Sequence, residues 1–154
     1  MAETKGQLPR WRELPDLELY MDQVLSLTER WLGALPGTDD KGLTASMINN
    51  YVKLGLVPPP VKKRYGREQL ATLVMVCLLK RVLPIPSIRT LLERALAEQA
   101  LPDFYDLFCE GFETAECAAA ENAARHSESG QILGAALRAQ AEQRMALRLL
   151  EAED

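Results

Sequence analysis

The chain has 154 residues, 47% of them hydrophobic and 26% charged, with a formal net charge of -4. That length suits one domain, or one domain with a helical appendage, and it can bury a core without disulfide or metal staples. An acidic total argues against indiscriminate nucleic-acid binding, and three cysteines, an odd number without metal-like spacing, fit a reduced cytoplasmic protein. The opening "MAETKGQLPRWRELPD" has no apolar run suited to a signal peptide, and the longest apolar run, residues 73–79, is too short to span a bilayer.

In chain order, Pro15 suits a helix N1 position, and Leu17, Tyr20, Met21, Val24, Leu27, Thr28, Trp31 and Leu35 recur at three- and four-residue steps. This predicts an amphipathic helix over residues 16–35, closed by the loop "PGTDDKG". Trp11 and Trp31 are expected to fasten the N-terminal segment to the core. Thr44 suits an N-cap for a helix that runs to Leu54, with Gly55 as its stop. "LVPPPVKKRYG" is too proline-rich for a helix and reads as extended or turning, with at most a short edge strand over residues 61–65. An apolar helix is expected over 67–83, "PIPS" breaks it, and another helix is expected over 86–98. Beyond Leu101, two helices separated by "SESG" complete the chain, the last rich in good helix formers. There is no internal repeat and no low-complexity tract.

Charge is distributed unevenly. Residues 44–94 carry nine Lys and Arg against two Glu, a balance of +7, while the rest carries nine basic and twenty acidic residues, -11. A basic middle between acidic ends is a local electrostatic footprint. On the helix at 44–54, Met47, Ile48, Tyr51 and Val52 share one face, and Ser46, Asn49, Asn50 and Lys53 share the opposite one. Asn is a poorer helix former than the Glu and Lys that usually cover exposed helices. Two adjacent Asn in mid-helix either read bases, since Asn pairs bidentately with adenine in a major groove, or cover the surface and bond nearby backbone. Lys62, Lys63 and Arg64 follow, and either lie beside phosphates or form a solvated loop. Gly66 and Arg67 open the next helix, whose positive end suits a phosphate.

The stretch "SMINNYVKLGLVPPPVKKRYGREQLATLVMVCLLKRVLPIPSIRTLL" resembles the DNA-binding domain of MerR-type regulators, through Tyr51, Gly55, Leu56, Pro58, Arg64, Tyr65, Leu70, Leu73 and Ile88. The wider run, with "LPRWRELPDLELYMDQV", "TASMINNYVK" and "KKRY", resembles a bacterial family known only as a domain of unknown function, number 1836. The resemblance covers most of residues 8–95. It implies a mainly α fold, a MerR-like winged helix-turn-helix followed by C-terminal helices. The winged domain would occupy residues 1–100, with its basic core at 44–94, and residues 101–154 would form a dimerisation or regulatory element. It also implies a bacterial transcriptional regulator that binds double-stranded DNA, with helix 44–54 in the major groove and a wing at 58–66 on phosphates. The implied DNA-binding residues are Ser46, Asn49, Asn50, Lys53, Lys62, Lys63, Arg64, Tyr65 and Arg67. Two departures stand out. MerR-type regulators usually have Arg-Tyr before the last aromatic of the recognition helix, where this chain has Asn49 and Asn50. The segment before that helix is also longer here.

His126 is the only histidine, so no histidine dyad or histidine-rich metal site exists, and it suits a helix C-terminus. Cys77 is expected in the core, Cys109 and Cys117 as small buried hydrophobes, and Asp103 and Asp106 near a helix start, where the dipole favours them. Without a phosphate loop, a serine nucleophile motif or paired carboxylates, no catalytic role, metal or cofactor is expected. The alternative function is a non-enzymatic protein–protein adaptor using the basic face. A homodimer is expected through the last helix, where Leu133, Leu137, Ala141, Met145 and Leu149 form a seam. The same seam could instead fold back on Phe104, Phe108 and Phe112 of its own chain.

Overall fold

A computed structural model describes residues 7–33, 42–123 and 127–152. The end of the helix expected to reach 35, most of the "PGTDDKG" loop and His126 lie outside the described residues. Among the described residues six α-helices carry the fold: α1 Met21–Gly33, α2 Ala45–Lys53, α3 Arg67–Leu79, α4 Ile85–Glu98, α5 Leu101–Ala123 and α6 Glu128–Glu151. Among the described residues β-structure is confined to two isolated bridges.

The centre is α3. Every residue from 69 to 77 in it is buried. A helix that is apolar on all sides belongs inside, and α1 and α5 pack on it. The core includes Val24 of α1, Ile48 and Tyr51 of α2, Ile88 of α4, and Tyr105 and Cys109 of α5. The first half of α5 therefore belongs to the same core as the helices before it. Its second half runs past that core, which leaves Cys117 exposed rather than buried as expected. Each buried side-chain nitrogen and oxygen among the described residues has a hydrogen-bond partner, as stable interiors require.

Three boundaries differ from the expectation. Residues 17–20 are not helical. Leu19 and Tyr65 exchange two backbone hydrogen bonds of 2.8 Å, an antiparallel bridge that holds this stretch extended, and α1 starts only at Met21. Leu17 and Tyr20, expected on the apolar face of that helix, are exposed. The third helix stops at Leu79 instead of 83, because residues 80–83 turn: Val82 and Leu83 both donate to the Leu79 carbonyl. "SESG" does not separate the last two helices but lies at the head of α6, with Ser127 in the N-cap position.

The N-terminal segment is a strap across the core. Tyr105 Oη donates to the Pro9 carbonyl at 2.7 Å, Trp11 N donates to Asp106 Oδ1 at 2.8 Å, and Arg10 Nη2 pairs with Glu113 Oε2 at 2.8 Å. Trp11 is half-buried and meets the Tyr105 ring edge-on. Asp106 thus serves a strap N–H rather than the dipole of its own helix.

The last helix is held differently. Ala146, Leu147 and Leu150 touch the core, Gln143 Nε2 donates to the Val82 carbonyl, and the Arg94 guanidinium caps the end of α6 on the carbonyls of Leu149 and Leu150. No residue of α6 is buried. The helix folds back on α4 and α5 through the face of Ala146, Leu147 and Leu150, while Leu133, Leu137, Met145 and Leu149 of the seam remain 48–64% exposed.

Candidate nucleic-acid interface

Thr44 Oγ1 accepts from Met47 N at 3.2 Å and caps α2, and Gly55, at φ +74°, ends it in the left-handed region that glycine tolerates. Ile48 and Tyr51 face the core. Ser46, Asn49, Asn50 and Lys53 form one exposed face of the helix. Among the described residues these four side chains make no hydrogen bond or ion pair. That face carries two amide heads, a hydroxyl and an ammonium, a mixture of donors and acceptors suited to polar edges.

Seven residues beyond α2 stands a two-residue hairpin. Val61 N donates to the Arg64 carbonyl at 3.1 Å, and Arg64 N returns the bond at 3.0 Å. Lys62 and Lys63 are its tip, with φ of +51° and +61°. Two successive left-handed residues are what a type I′ turn demands, and such turns favour Asn-Gly or Gly-Gly. Lysine has a Cβ and is strained there. Both lysines are exposed and project charge at the tip.

Buried Gln69 fixes the root of the hairpin. Its Oε1 accepts from Gly66 N at 2.9 Å, and its Nε2 donates to the Pro59 carbonyl at 3.2 Å, so one amide joins the two sides of the turn. Sequence reading missed this residue, although a glutamine three positions after a helix-opening residue is a recognisable capping arrangement. The phosphate expected at the head of α3 would find Gly66 N–H already donating to Gln69, and the Glu68 carboxylate in the first turn.

Three expected site residues are engaged by the rest of the fold. Tyr65 is 3% exposed and belongs to the core, where burial raises its phenol above the usual value. Arg67 turns back on the strap: Nε donates to the Leu14 carbonyl at 3.0 Å and Nη2 to that of Arg12 at 3.5 Å, with Asp16 at 3.9 Å. Arg64 stays half-exposed but is engaged, bonding Glu18 at 3.2 Å and lying 5.6 Å from the centre of the Tyr20 ring. The exposed face of α2 and the lysine tip are therefore open, while Arg64, Tyr65 and Arg67 brace the hairpin against residues 12–20.

No helix among the described residues is long and apolar enough to cross a membrane, and no group of three potential metal ligands occurs among them. A family model described as "Domain of unknown function (DUF1836)" matches residues 9–108, from the strap into the first half of α5. No curated protein and no solved structure matches the chain.

Proposed function

The chain belongs to the DUF1836 family, and we propose that it is a bacterial DNA-binding transcriptional regulator with a MerR-like winged helix-turn-helix. In this reading α2 enters the major groove. Asn49 and Asn50 meet base edges, where Asn pairs best with adenine, while Ser46 bonds either bases or phosphate. Lys62 and Lys63 form the tip of the wing and neutralise phosphates, and Lys53 adds a third cation at the end of the helix. Arg64, Tyr65 and Arg67 hold the wing in place and contribute through position.

The observation that carries the reading is the lysine pair in left-handed geometry. Glycine or asparagine would relax that turn, yet the chain keeps two ammonium groups there. An anionic surface is the natural counterpart of such a tip. The adaptor reading shares the same charge and is separated by competition, because an adaptor gains nothing from duplex sequence.

The regulator acts as a homodimer through α6, whose exposed seam of Leu133, Leu137, Met145 and Leu149 meets its copy. One recognition helix and one short wing cover a half-site, and a two-fold pair doubles the contact. The direct test is selection of bound sites from a random duplex pool. An enriched inverted repeat is the expected result. Recovery of the unselected pool, with binding that follows only duplex length and salt, would remove the regulator.

A further inference from the structure

Behind the exposed face of α2 lies a cavity of about 270 Å³, which no role proposed so far uses. Its wall is made by Val52 from the last turn of α2, Leu56, Pro59 at the root of the hairpin, Met75 of α3, and Leu92 and Leu96 of α4. The interior is apolar. The one hydroxyl lining it, Thr72 Oγ1, already donates to the Glu68 carbonyl at 2.7 Å. Leu96 remains 46% exposed at the edge, a large apolar side chain that nothing among the described residues covers.

The mouth is not apolar. Arg89 and Glu93 stand one turn apart on α4, with Nε of Arg89 on Oε1 of Glu93 at 3.2 Å. The terminal nitrogens of Arg89 and Oε2 of Glu93 take no partner among the described residues. The guanidinium lies against bare Gly55, where a Cβ would stand 3.4 Å from Nη2. The mouth thus offers a fork of N–H donors and a carboxylate side by side, above an apolar well of small-ligand size.

We infer that this cavity binds a free apolar α-amino acid, with its carboxylate on the Arg89 fork, its ammonium on Glu93 and its branched or aromatic side chain in the well. A ligand of one charge would satisfy one of the two rim residues and meet repulsion from the other. A zwitterion complements both, and the paired guanidinium geometry favours a carboxylate in particular. The size of the well selects side chains of the leucine or phenylalanine class, since each carbon left out of it weakens binding about fourfold. Val52 and Pro59 belong to the two elements assigned to DNA, so an occupied cavity fixes the spacing between recognition helix and wing. That regulatory consequence rests on the DNA reading, whereas the binding does not.

Calorimetry on the full chain without DNA is the test. L-leucine and L-phenylalanine are compared with L-alanine and with two leucine-shaped compounds lacking one charge, 4-methylpentanoate and 3-methylbutylamine. The expected result is saturable binding of leucine or phenylalanine with a dissociation constant below about 1 mM. Each singly charged analogue should bind at least about tenfold more weakly, the scale of a lost charged hydrogen bond. Arg89→Gln should abolish the advantage of leucine over 3-methylbutylamine, and Glu93→Gln its advantage over 4-methylpentanoate. Both positions are exposed on α4, and circular dichroism checks that the variants fold. Absence of saturable binding by any amino acid overturns the inference. So does equal affinity for the three leucine-shaped compounds, or discrimination unchanged by both substitutions. Leucine bound by a chain that selects no duplex supports the cavity and removes the regulator, whereas a selected duplex without leucine binding does the reverse.

Discussion

Helices α3 and α6 are both rich in apolar residues, and the fold treats them in opposite ways. Nine consecutive residues of α3 are buried, while α6, nearly twice as long, has none. The helix α3 is defined by contacts within this chain. The helix α6 packs on α4 and α5 along one edge, capped by Arg94, and it leaves its leucine seam to solvent. Isolated helices are marginal in water, so a helix with an uncovered apolar stripe gains most from a partner. The same division runs through the rest of the molecule: Tyr65, Arg67 and Gln69 are engaged by the fold, whereas Asn49, Asn50, Lys62 and Lys63 are left free by it.

The largest expected effect falls on the two helices themselves. Leu73→Ala in α3 should destabilise the protein by about 2–5 kcal/mol, the range for removing a fully buried leucine side chain. Leu137→Asp in α6 should leave the monomer within about 0.5 kcal/mol of the parent, as exposed substitutions do. If α6 pairs with its copy as proposed, the same change should leave only monomer in light scattering. A full-length parent that is already monomeric at tens of micromolar would break the comparison and the dimer with it.

Next is the engaged amide. Gln69→Ala removes the partner of Gly66 N–H and of the Pro59 carbonyl together. The expected cost is about 1–3 kcal/mol, the penalty for leaving buried polar groups unpaired. Faster amide exchange should be concentrated at residues 60–66. Uniform acceleration across α3 instead would show that Gln69 supports the core and not the hairpin.

The strap gives a pH signature. Burial raises Cys109 and Tyr105, the latter helped by Cys109 beside it, and burial also raises Tyr65. These groups are neutral when protonated, so the folded chain holds protons that the unfolded chain releases from about pH 8.5 for thiols and about pH 10 for phenols. Their contribution is complete below the unfolded values and declines as pH rises toward the folded ones. Urea midpoints should therefore fall between pH 8 and pH 11. Tyr105→Phe should lose about 1 kcal/mol at pH 7 with the bond to Pro9, and should flatten the alkaline decline. A parent midpoint constant across that range would contradict the assignment.

Much of α2 was legible in the sequence, because both of its ends are local: Thr44 caps it and Gly55 stops it. The face pattern was legible for the same reason, since Ile48 and Tyr51 against Asn49 and Asn50 follow from helix geometry alone. The extended stretch before α1 was not. Leu19 pairs with Tyr65, 46 residues away, and no periodicity reports a bridge across that distance. The partners of the basic run were hidden in the same way. Composition treats Arg64, Tyr65 and Arg67 as one patch with the lysines, but their partners, Glu18, Leu19 and Leu14, lie in the strap. Gln69 was within reach as a capping residue, and its second bond to Pro59 was not.

The hairpin tip tests the free side of the division. Lys62→Asn with Lys63→Gly gives the turn its preferred residues and should raise stability by about 1 kcal/mol. If the hairpin lies on DNA as proposed, the same change should weaken binding to all duplexes and lower the slope of log affinity against log salt by about 1 for each lysine. Greater stability with an unchanged slope would take the hairpin out of the DNA interface and leave its strain without a functional reason.

The smallest expected effect on stability accompanies the sharpest effect on recognition. Asn49 and Asn50 lie within α2, exposed, where alanine is the better helix former. Asn49→Ala and Asn50→Ala should each gain a few tenths of a kcal/mol, because no tertiary contact is lost and helix propensity rises. If α2 reads bases, each variant should also lose about 1–3 kcal/mol of discrimination at one base pair of the half-site, and leave affinity for unrelated duplexes unchanged. The lysine tip gives the reverse profile, with uniform weakening and unaltered preference, so the two sets of variants distinguish reading from anchoring. A site selection that returns the parental motif from both asparagine variants would show that the exposed face of α2 is solvated surface, and the specificity would then have to come from another element or from the shape of the duplex.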